Sequence, residues 1–386
     1  MNTEGFIANR IRFKGRVAVT AMAISFFVII IAVAISAGFR NEIRNGVSSI
    51  TGDVLLTNSW FDYYSDSHPV DISPSFLPAI KAVKGVKKVS PAIYRAGIIK
   101  KGEDIHVVLF KGTDGDSLSL CARIPSKLAE QTGLKAGDNM LVYFVSDKVK
   151  IRKFKVSGIY NSIIDTEDSQ IVYVPIEDMR RLNGWSDSQA SALEVTLDEN
   201  LRSREEIKEK TEEIGAISYM SPDSSEESFA ATSVVDKYAQ LFDWLDLIDF
   251  NVYAILILMT VVAGFNMISG LLIMLFRNTS TIGILKTLGM KDRQIAGIFM
   301  RVAAKTAALG MLAGNAAALL FCLIQGTTHF IKLNPENYFV SSVPVYVNMP
   351  QILITDAVAF AVTILLMLIP TLFISKVDPS LTVKSE

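Results

Sequence analysis

Residues 250–276 read FNVYAILILMTVVAGFNMISGLLIMLF, 27 positions without a charged side chain. At about 1.5 Å per residue a helix of that length clears the roughly 30 Å of a bilayer's hydrocarbon, so the stretch predicts a transmembrane helix. Upstream, residues 17–39 hold no charge over 23 positions. Downstream, residues 306–330 and 351–375 are two further candidates, the last interrupted only by Asp356 near its start. The count predicted is four spans. Half of the 386 residues are hydrophobic, which fits a mixture of spans and a soluble portion better than either alone. The first run follows Arg10, Arg12, Lys14 and Arg16, an arrangement shared with signal peptides. It is longer than the about 7–15 residues of a signal peptide's apolar region, which favours a retained span.

The distribution of charge sets the topology. Residues 1–16 carry four basic residues against Glu4, and residues 277–305 carry Arg277, Lys286, Lys291, Arg293, Arg301 and Lys305 against Asp292. Basic short segments stay in the cytoplasm. Residues 40–249 hold 25 Lys and Arg against 33 Asp and Glu, and so long a segment follows its flanking spans. The fold class predicted is an α-helical membrane protein with four transmembrane helices and a large α+β extracytoplasmic domain inserted between helices 1 and 2. Its parts are a cytoplasmic segment (1–16), span one (17–39), the outer domain (40–249), span two (250–276), a cytoplasmic loop (277–305), span three (306–330), a short outer loop (331–350), span four (351–375) and a cytoplasmic tail (376–386). Cys121 falls in the outer domain and Cys322 in a span, so no disulfide framework supports the fold.

Within the outer domain, stretches 54–57, 89–99, 105–110, 140–144, 154–160 and 170–174 are rich in β-branched and aromatic residues and read as strands. Stretches 76–83, 175–182 and 200–214 read as helices, the last dense in Glu and Lys at helical spacing. Two lobes are expected, the inner one at about 117–196, and the Ser-Pro-Asp-Ser-Ser-Glu-Glu-Ser run at 221–228 reads as a loop. Phe39, Ile43, Val47 and Ile50 after the first span, and Val235, Tyr238, Leu241, Phe242, Leu245 and Ile248 before the second, keep helical spacing. Both spans are expected to continue outward. The extensions are either levers or ordinary surface helices that pack on each other.

Chemistry of its own is not legible in the chain. It contains no phosphate-binding Gly-x-x-x-x-Gly-Lys-Ser/Thr loop, and His68, His106 and His329 stand apart with no Cys or His pair at metal-ligand spacing. Asp114-Gly-Asp116 has none of the further ligands of a calcium loop and reads as a turn. An acidic large domain argues against nucleic acid.

Between spans two and three lies Arg277-Asn-Thr-Ser-Thr-Ile-Gly-Ile-Leu-Lys-Thr-Leu-Gly289. Thr279 or Ser280 can cap a helix start, Ile282, Leu285 and Leu288 line one side with Ile284 adjoining, and Gly289 supplies a left-handed end. Asp292 then starts the next helix. Isolated helices shorter than about 12–15 residues are marginal in water, so this one needs a support, either the lipid surface or a cytoplasmic partner.

Ile282-Gly-Ile-Leu-Lys-Thr-Leu-Gly289 with Lys291-Asp-Arg-Gln-Ile-Ala-Gly-Ile-Phe299 resembles the motif between spans two and three of FtsX/MacB-superfamily ABC permeases, and within them the LolC/LolE lipoprotein-releasing branch. Phe6-Ile-Ala-Asn-Arg-Ile11, residues 128–138 and Val172-Tyr-Val-Pro-Ile-Glu-Asp-Met-Arg-Arg-Leu182 carry the resemblance along the chain. Thr281 departs from it, standing where many members have an acid, so a particular ionic contact with an ATPase is not carried over. The resemblance implies an inner-membrane permease subunit that extracts lipoproteins and passes them to a periplasmic carrier. It implies a coupling helix (Ile282, Gly283, Ile284, Leu285, Lys286, Leu288, Gly289) on a separate dimeric ABC ATPase, where ATP and Mg are bound, this chain binding no cofactor. It also implies a second permease copy or paralogue and a lipid cavity between spans one and two, for which the apolar faces Phe26, Ile30, Val33 and Phe39 of span one and Tyr253, Ile257 and Phe265 of span two are candidates, the alternative for each being packing against lipid. MacB-like mechanotransmission and FtsX-like regulation of a cell-wall hydrolase are the alternatives.

Three intramembrane features bear on assembly. Gly310 and Gly314, followed by Ala316, Ala317 and Ala318, make a flat face for helix packing. Asn266 lies mid-span and is expected to face protein. Pro370 is placed to kink the end of span four.

Overall fold

The computed structural model describes residues 16–62, 68–101, 104–115, 118–145, 148–161, 170–198, 203–219 and 229–371. The segment before residue 16, Asp116, the expected loop at 221–228 and the chain beyond 371 lie outside the described residues. Two compact units emerge. One comprises Met1–Phe39, Asp246–Ile331 and Val343–Glu386, and the other Arg40–Leu245 and Lys332–Ser342.

The chain enters on α1 (Arg16–Thr51), one helix of 36 residues that includes both the first apolar run and its outward extension. Phe39, Ile43, Val47 and Ile50, the four periodic positions of that extension, are all buried. Gly52, at φ +72°, ends the helix and turns the chain straight into a strand.

The second unit follows in the order β1 (Val54–Asn58), β2 (Val70–Asp71), α2 (Leu77–Ala82), β3 (Val86–Lys101), β4 (Asp104–Thr113), β5 (Cys121–Pro125), α3 (Ser126–Thr132), β6 (Asn139–Phe144), β7 (Lys150–Tyr160), β8 (Ile171–Pro175), α4 (Ile176–Asn183), β9 (Gln189–Ala190), β10 (Ala192–Leu197), α5 (Arg204–Tyr219), β11 (Phe229–Ser233) and α6 (Val234–Lys237). All six strand stretches read from the sequence are strands, and α2, α4 and α5 overlap the three helical ones. Strands β5, β10 and β11, and the two-residue β2 and β9, go beyond that reading.

Nine strands join in the order β11-β1-β10-β3-β4-β8-β5-β7-β6, and β6 also pairs with β3 through Ile98↔Tyr143 and Ile99↔Val142. That extra pairing closes β3, β4, β8, β5, β7 and β6 into a six-stranded barrel, because each now has a neighbour on both sides. Its interior is filled by Phe110, Phe144 and Phe154, whose rings meet at 5.0–6.5 Å between centroids, with Val142, Val156 and Val172 around them. A second apolar cluster, including Leu56, Ile80, Leu193, Val195 and Ile214, lies where α2 and α5 cover β1 and β10. The 16-residue β3 belongs to both parts. It pairs with β10 along Val86–Ala92 and with β4 from Ala92 onward.

The remaining helices are α7 (Ala239–Arg277), α8 (Thr279–Thr287), α9 (Asp292–Thr328), α10 (Pro335–Tyr338), α11 (Met349–Leu366) and α12 (Leu368–Thr371). Among the described residues four helical stretches, α1, α7, α9 and Met349–Thr371, are long and apolar enough to cross a membrane. The fourth is interrupted at Met367, just ahead of buried Pro370, which has no N–H to donate to the carbonyl four residues back. The core of this unit joins Met22, Phe26, Ile29 and Ile30 of α1 with Met267 and Leu271 of α7 and with Phe299 and Ala307 of α9.

Candidate functional site

The short helix α8 forms an elbow between α7 and α9. Its start differs from the capping expected of Thr279 or Ser280. Asn278 occupies the cap position, and its amide instead donates 2.7 Å back to the Met274 carbonyl. The far end is as the glycine requires. Gly289 sits at φ +87°, Met290 N–H donates to Leu285 O at 3.0 Å and Gly289 N–H to Lys286 O at 3.0 Å. These are the paired bonds of a Schellman turn. Across the turn, Gln294 Oε1 accepts from Lys291 N–H at 3.1 Å, and the Lys286 ammonium pairs with Asp292 at 3.1 Å. The elbow is thereby held at a set angle by its own residues.

The fold divides the coupling-helix residues between two faces. Ile282 is fully buried and Gly283 is buried too, with Leu285 packed against the same core. Ile284 is 52% exposed and Leu288 78% exposed, four residues apart and so on one side of the helix. Exposed Thr281 and Thr287 flank them. Leu288 therefore parts from Ile282 and Leu285, with which its spacing grouped it. Lys286 is turned into the elbow's ion pair. Gly289 is exposed.

The glycine face of α9 is occupied. A Cβ at Gly310 would lie 2.6 Å from Met22 Cβ, and one at Gly314 would overlap the Ala23 carbonyl oxygen. Thus α1 and α9 pack at backbone distance because neither position has a side chain. Asn266 is half-buried, between buried Ala263 and Met267. A polar contact that the sequence reading did not contain joins Asn315 of α9, whose Nδ2 donates 2.5 Å to Oδ2 of Asp356 in α11. The other oxygens of this pair, Asn315 Oδ1 and Asp356 Oδ1, are buried without a hydrogen-bond partner. Asp356 had been visible only as the interruption of an apolar run.

The seven cavity residues do not form one surface in the single chain. Phe26 and Ile30 lie in the core beside α9 residues, and Val33 and Phe39 are buried. Tyr253, Ile257 and Phe265 of α7 are each about two-thirds exposed, in a row with Phe250 and Val261. An all-apolar span has no polar side to reveal which face turns inward. Here the small residues of α9 decided it by admitting α1. Among the described residues no group of three His, Cys, Asp or Glu is placed to hold a metal ion.

Residues 17–214 match the family model of the MacB-like periplasmic core domain, more than half of the chain, and residues 253–379 match the FtsX-like permease C-terminal model. A membrane-helix unit carrying an inserted domain of this kind is the build of an ABC-transporter permease. This chain belongs to the FtsX/MacB superfamily of permeases and is of the LolC/LolE type within it. It is 18% identical to the lipoprotein-releasing system transmembrane protein LolC of Xylella fastidiosa strain Temecula1, over 99% of this chain and 95% of that protein. It is 20% identical to the LolC of Neisseria meningitidis serogroup B, over 97% and 94%. The crystal structure of the periplasmic region of MacB from Actinobacillus actinomycetemcomitans is 14% identical and covers 52% of this chain and 95% of its own, with a TM-score of 0.31. Permeases of this family work with an ABC ATPase partner.

Proposed function

We propose that this chain is the permease subunit of an ABC machine that extracts lipoproteins from the inner membrane and passes them to a carrier in the periplasm. ATP and Mg act on the partner subunit. The observation that carries the reading is the two-faced elbow. Ile282 and Leu285 anchor α8 to the chain's own helices, while Ile284 and Leu288 remain as an apolar ridge for a partner's groove. The resemblance to LolC proteins along nearly the whole chain supports the same reading.

Burying an acyl chain stabilises it by about 0.8 kcal/mol per methylene, so a multi-acyl anchor leaves a bilayer only onto another apolar surface. The exposed row of α7, Tyr253, Ile257 and Phe265, offers one, which a second permease copy or paralogue would enclose together with span one. The domain between spans one and two then lies in the periplasm, and α8 in the cytoplasm. The match of residues 17–214 to the MacB-like model keeps efflux by mechanotransmission as the second reading.

Reconstituting the chain with its ATPase subunit in lipid vesicles tests this. ATP-dependent transfer of a tri-acylated protein to a soluble carrier is the expected result. Release of peptides or drugs without lipoprotein, or activation of a cell-wall hydrolase without any release, would replace it.

A further inference from the structure

The end of α1 is fastened to the sheet of the second unit by side chains that neither the coupling helix nor the lipid-facing residues involve. A helix leaves its last four carbonyls without partners inside the helix. Here side chains of the sheet supply partners for two of them, those of Ser49 and Ile50. Lys111 of β4, 2% exposed, points its ammonium at the Ile50 carbonyl (2.8 Å) and the Ser49 carbonyl (3.2 Å) and pairs with the Glu194 carboxylate of β10 at 2.7 Å. The Tyr94 hydroxyl of β3 lies 3.0 Å from the same Ile50 oxygen and also against Glu194. A cation at a helix C-terminus is further favoured by the helix dipole.

Asp53, two residues beyond the helix, completes the fastening. Its Oδ1 accepts from Ser48 Oγ at 2.6 Å and from Arg44 Nη2 at 3.2 Å, both on the last turns of α1, while Oδ2 accepts from Leu197 N–H of β10 at 2.7 Å. Its backbone N–H donates to Val195 O at 2.9 Å, and its carbonyl accepts from Val234 N–H, the first residue of α6, at 2.9 Å. One buried aspartate therefore touches the outgoing helix, the central sheet and the start of the returning helical run. Apolar packing alone permits sliding and rotation. Charge-assisted bonds from several directions to fixed carbonyls resist both.

We propose that Lys111 and Asp53, with Glu194 and Tyr94, are the rigid joint through which movement of α1 is passed to the sheet. They are positioning residues, and the proposal rests on the reading above that the chain transmits work from an ATPase. Residues that only stabilised the domain would be replaceable by an apolar pair of similar volume, since such replacement of a buried ion pair is often neutral or stabilising. A joint would not survive it.

The test uses the full chain assembled with its ATPase in nanodiscs. Spin labels at Asn45→Cys on α1 and Ile105→Cys on β4, in a Cys121→Ala, Cys322→Ala background, report the angle of helix to sheet. The double variant Lys111→Met, Glu194→Leu is expected to keep thermal stability and ATP hydrolysis. It is expected to lose about two- to thirtyfold in lipoprotein released per ATP, the range of coupling mutations, and to broaden the distance distribution. Asp53→Asn keeps the shape but leaves the buried Arg44 guanidinium without its carboxylate, so it is expected to lower thermal stability as well as release per ATP. Wild-type release per ATP together with a narrow distribution in the double variant overturns the joint. If the wild-type complex releases no lipoprotein, the transport reading falls, while the width of the distance distribution still decides for or against the joint.

Discussion

Gly314 of α9 faces the carbonyl oxygen of Ala23 in α1 so closely that a methyl group on the glycine would overlap it. Backbone cannot swing aside as a flexible side chain can, so the first prediction concerns this contact. Gly314→Val should lower the stability of the membrane unit by about 1–3 kcal/mol, the usual cost of overpacking. Gly326→Val, on the same helix with nothing within 4 Å, should cost only the difference in helix propensity. Thermal unfolding of the two variants in detergent checks the contrast, and equal losses would contradict the packing.

The two faces of α8 predict opposite phenotypes. Ile284→Asp and Leu288→Asp should leave the chain folded and weaken binding of the ATPase subunit by about 2 kcal/mol or more each, as for a buried interface anchor. Ile282→Asp should instead disrupt the chain itself, because that side chain is fully enclosed by its own helices. Co-purification alongside thermal stability separates the outcomes. Normal ATPase binding by the Ile284 and Leu288 variants would count against the docked elbow.

Beside the joint, burial pushes the Lys237 ammonium down from 10.5 to about 7, with Glu194 opposing the shift and Lys111 adding to it. An unfolded lysine holds its proton up to about 10.5, so between pH 7 and 10.5 the unfolded chain binds more protons than the folded one. Folded stability must then rise with pH across that window, the penalty being complete below pH 7. Lys237→Met should be the more stable protein at pH 7, and its advantage should shrink by pH 9.5. Melting curves at the two values test this, and parallel behaviour of the two proteins would refute it.

Asn315 and Asp356 bridge α9 and α11 inside the apolar unit. A double-mutant cycle with Asn315→Leu and Asp356→Leu should give a coupling energy of about 0.6–1.7 kcal/mol, from the average to the largest value measured for hydrogen bonds between membrane helices. Additive losses would mean that the two side chains act independently.

Much of the architecture was already legible in local pattern. Charge-free runs gave the spans, Gly289 gave the end of the elbow helix, and stretches rich in β-branched and aromatic residues gave six strands. Five strands escaped, the two-residue β2 and β9 because they are too short to carry a pattern, and three longer ones for different reasons. Cys-Ala-Arg-Ile-Pro at 121–125 is short and ends in proline, and Phe-Ala-Ala-Thr-Ser at 229–233 is weakly apolar. Ala-Leu-Glu-Val-Thr-Leu at 192–197 has the alternation of a strand but sat at an expected lobe boundary. Asn278, and neither Thr279 nor Ser280, occupies the cap position, its amide bonding backward to the preceding turn.

By itself the sequence determined which segments are apolar enough to leave water and where helices stop, since hydropathy and glycine's left-handed freedom act within a few residues. It also placed the chain among the permeases it resembles. Only the tertiary structure decided which side of each span turns inward, because a helix apolar all round has no preferred face until glycines on a neighbour admit it. The closing of the barrel by β6 on β3, and the meeting of Lys111 with Ile50 and of Asp53 with Leu197, were decided there too. Those partners lie 61 and 144 positions apart, and no short-range pattern carries the directions of bonds that form when distant strands align.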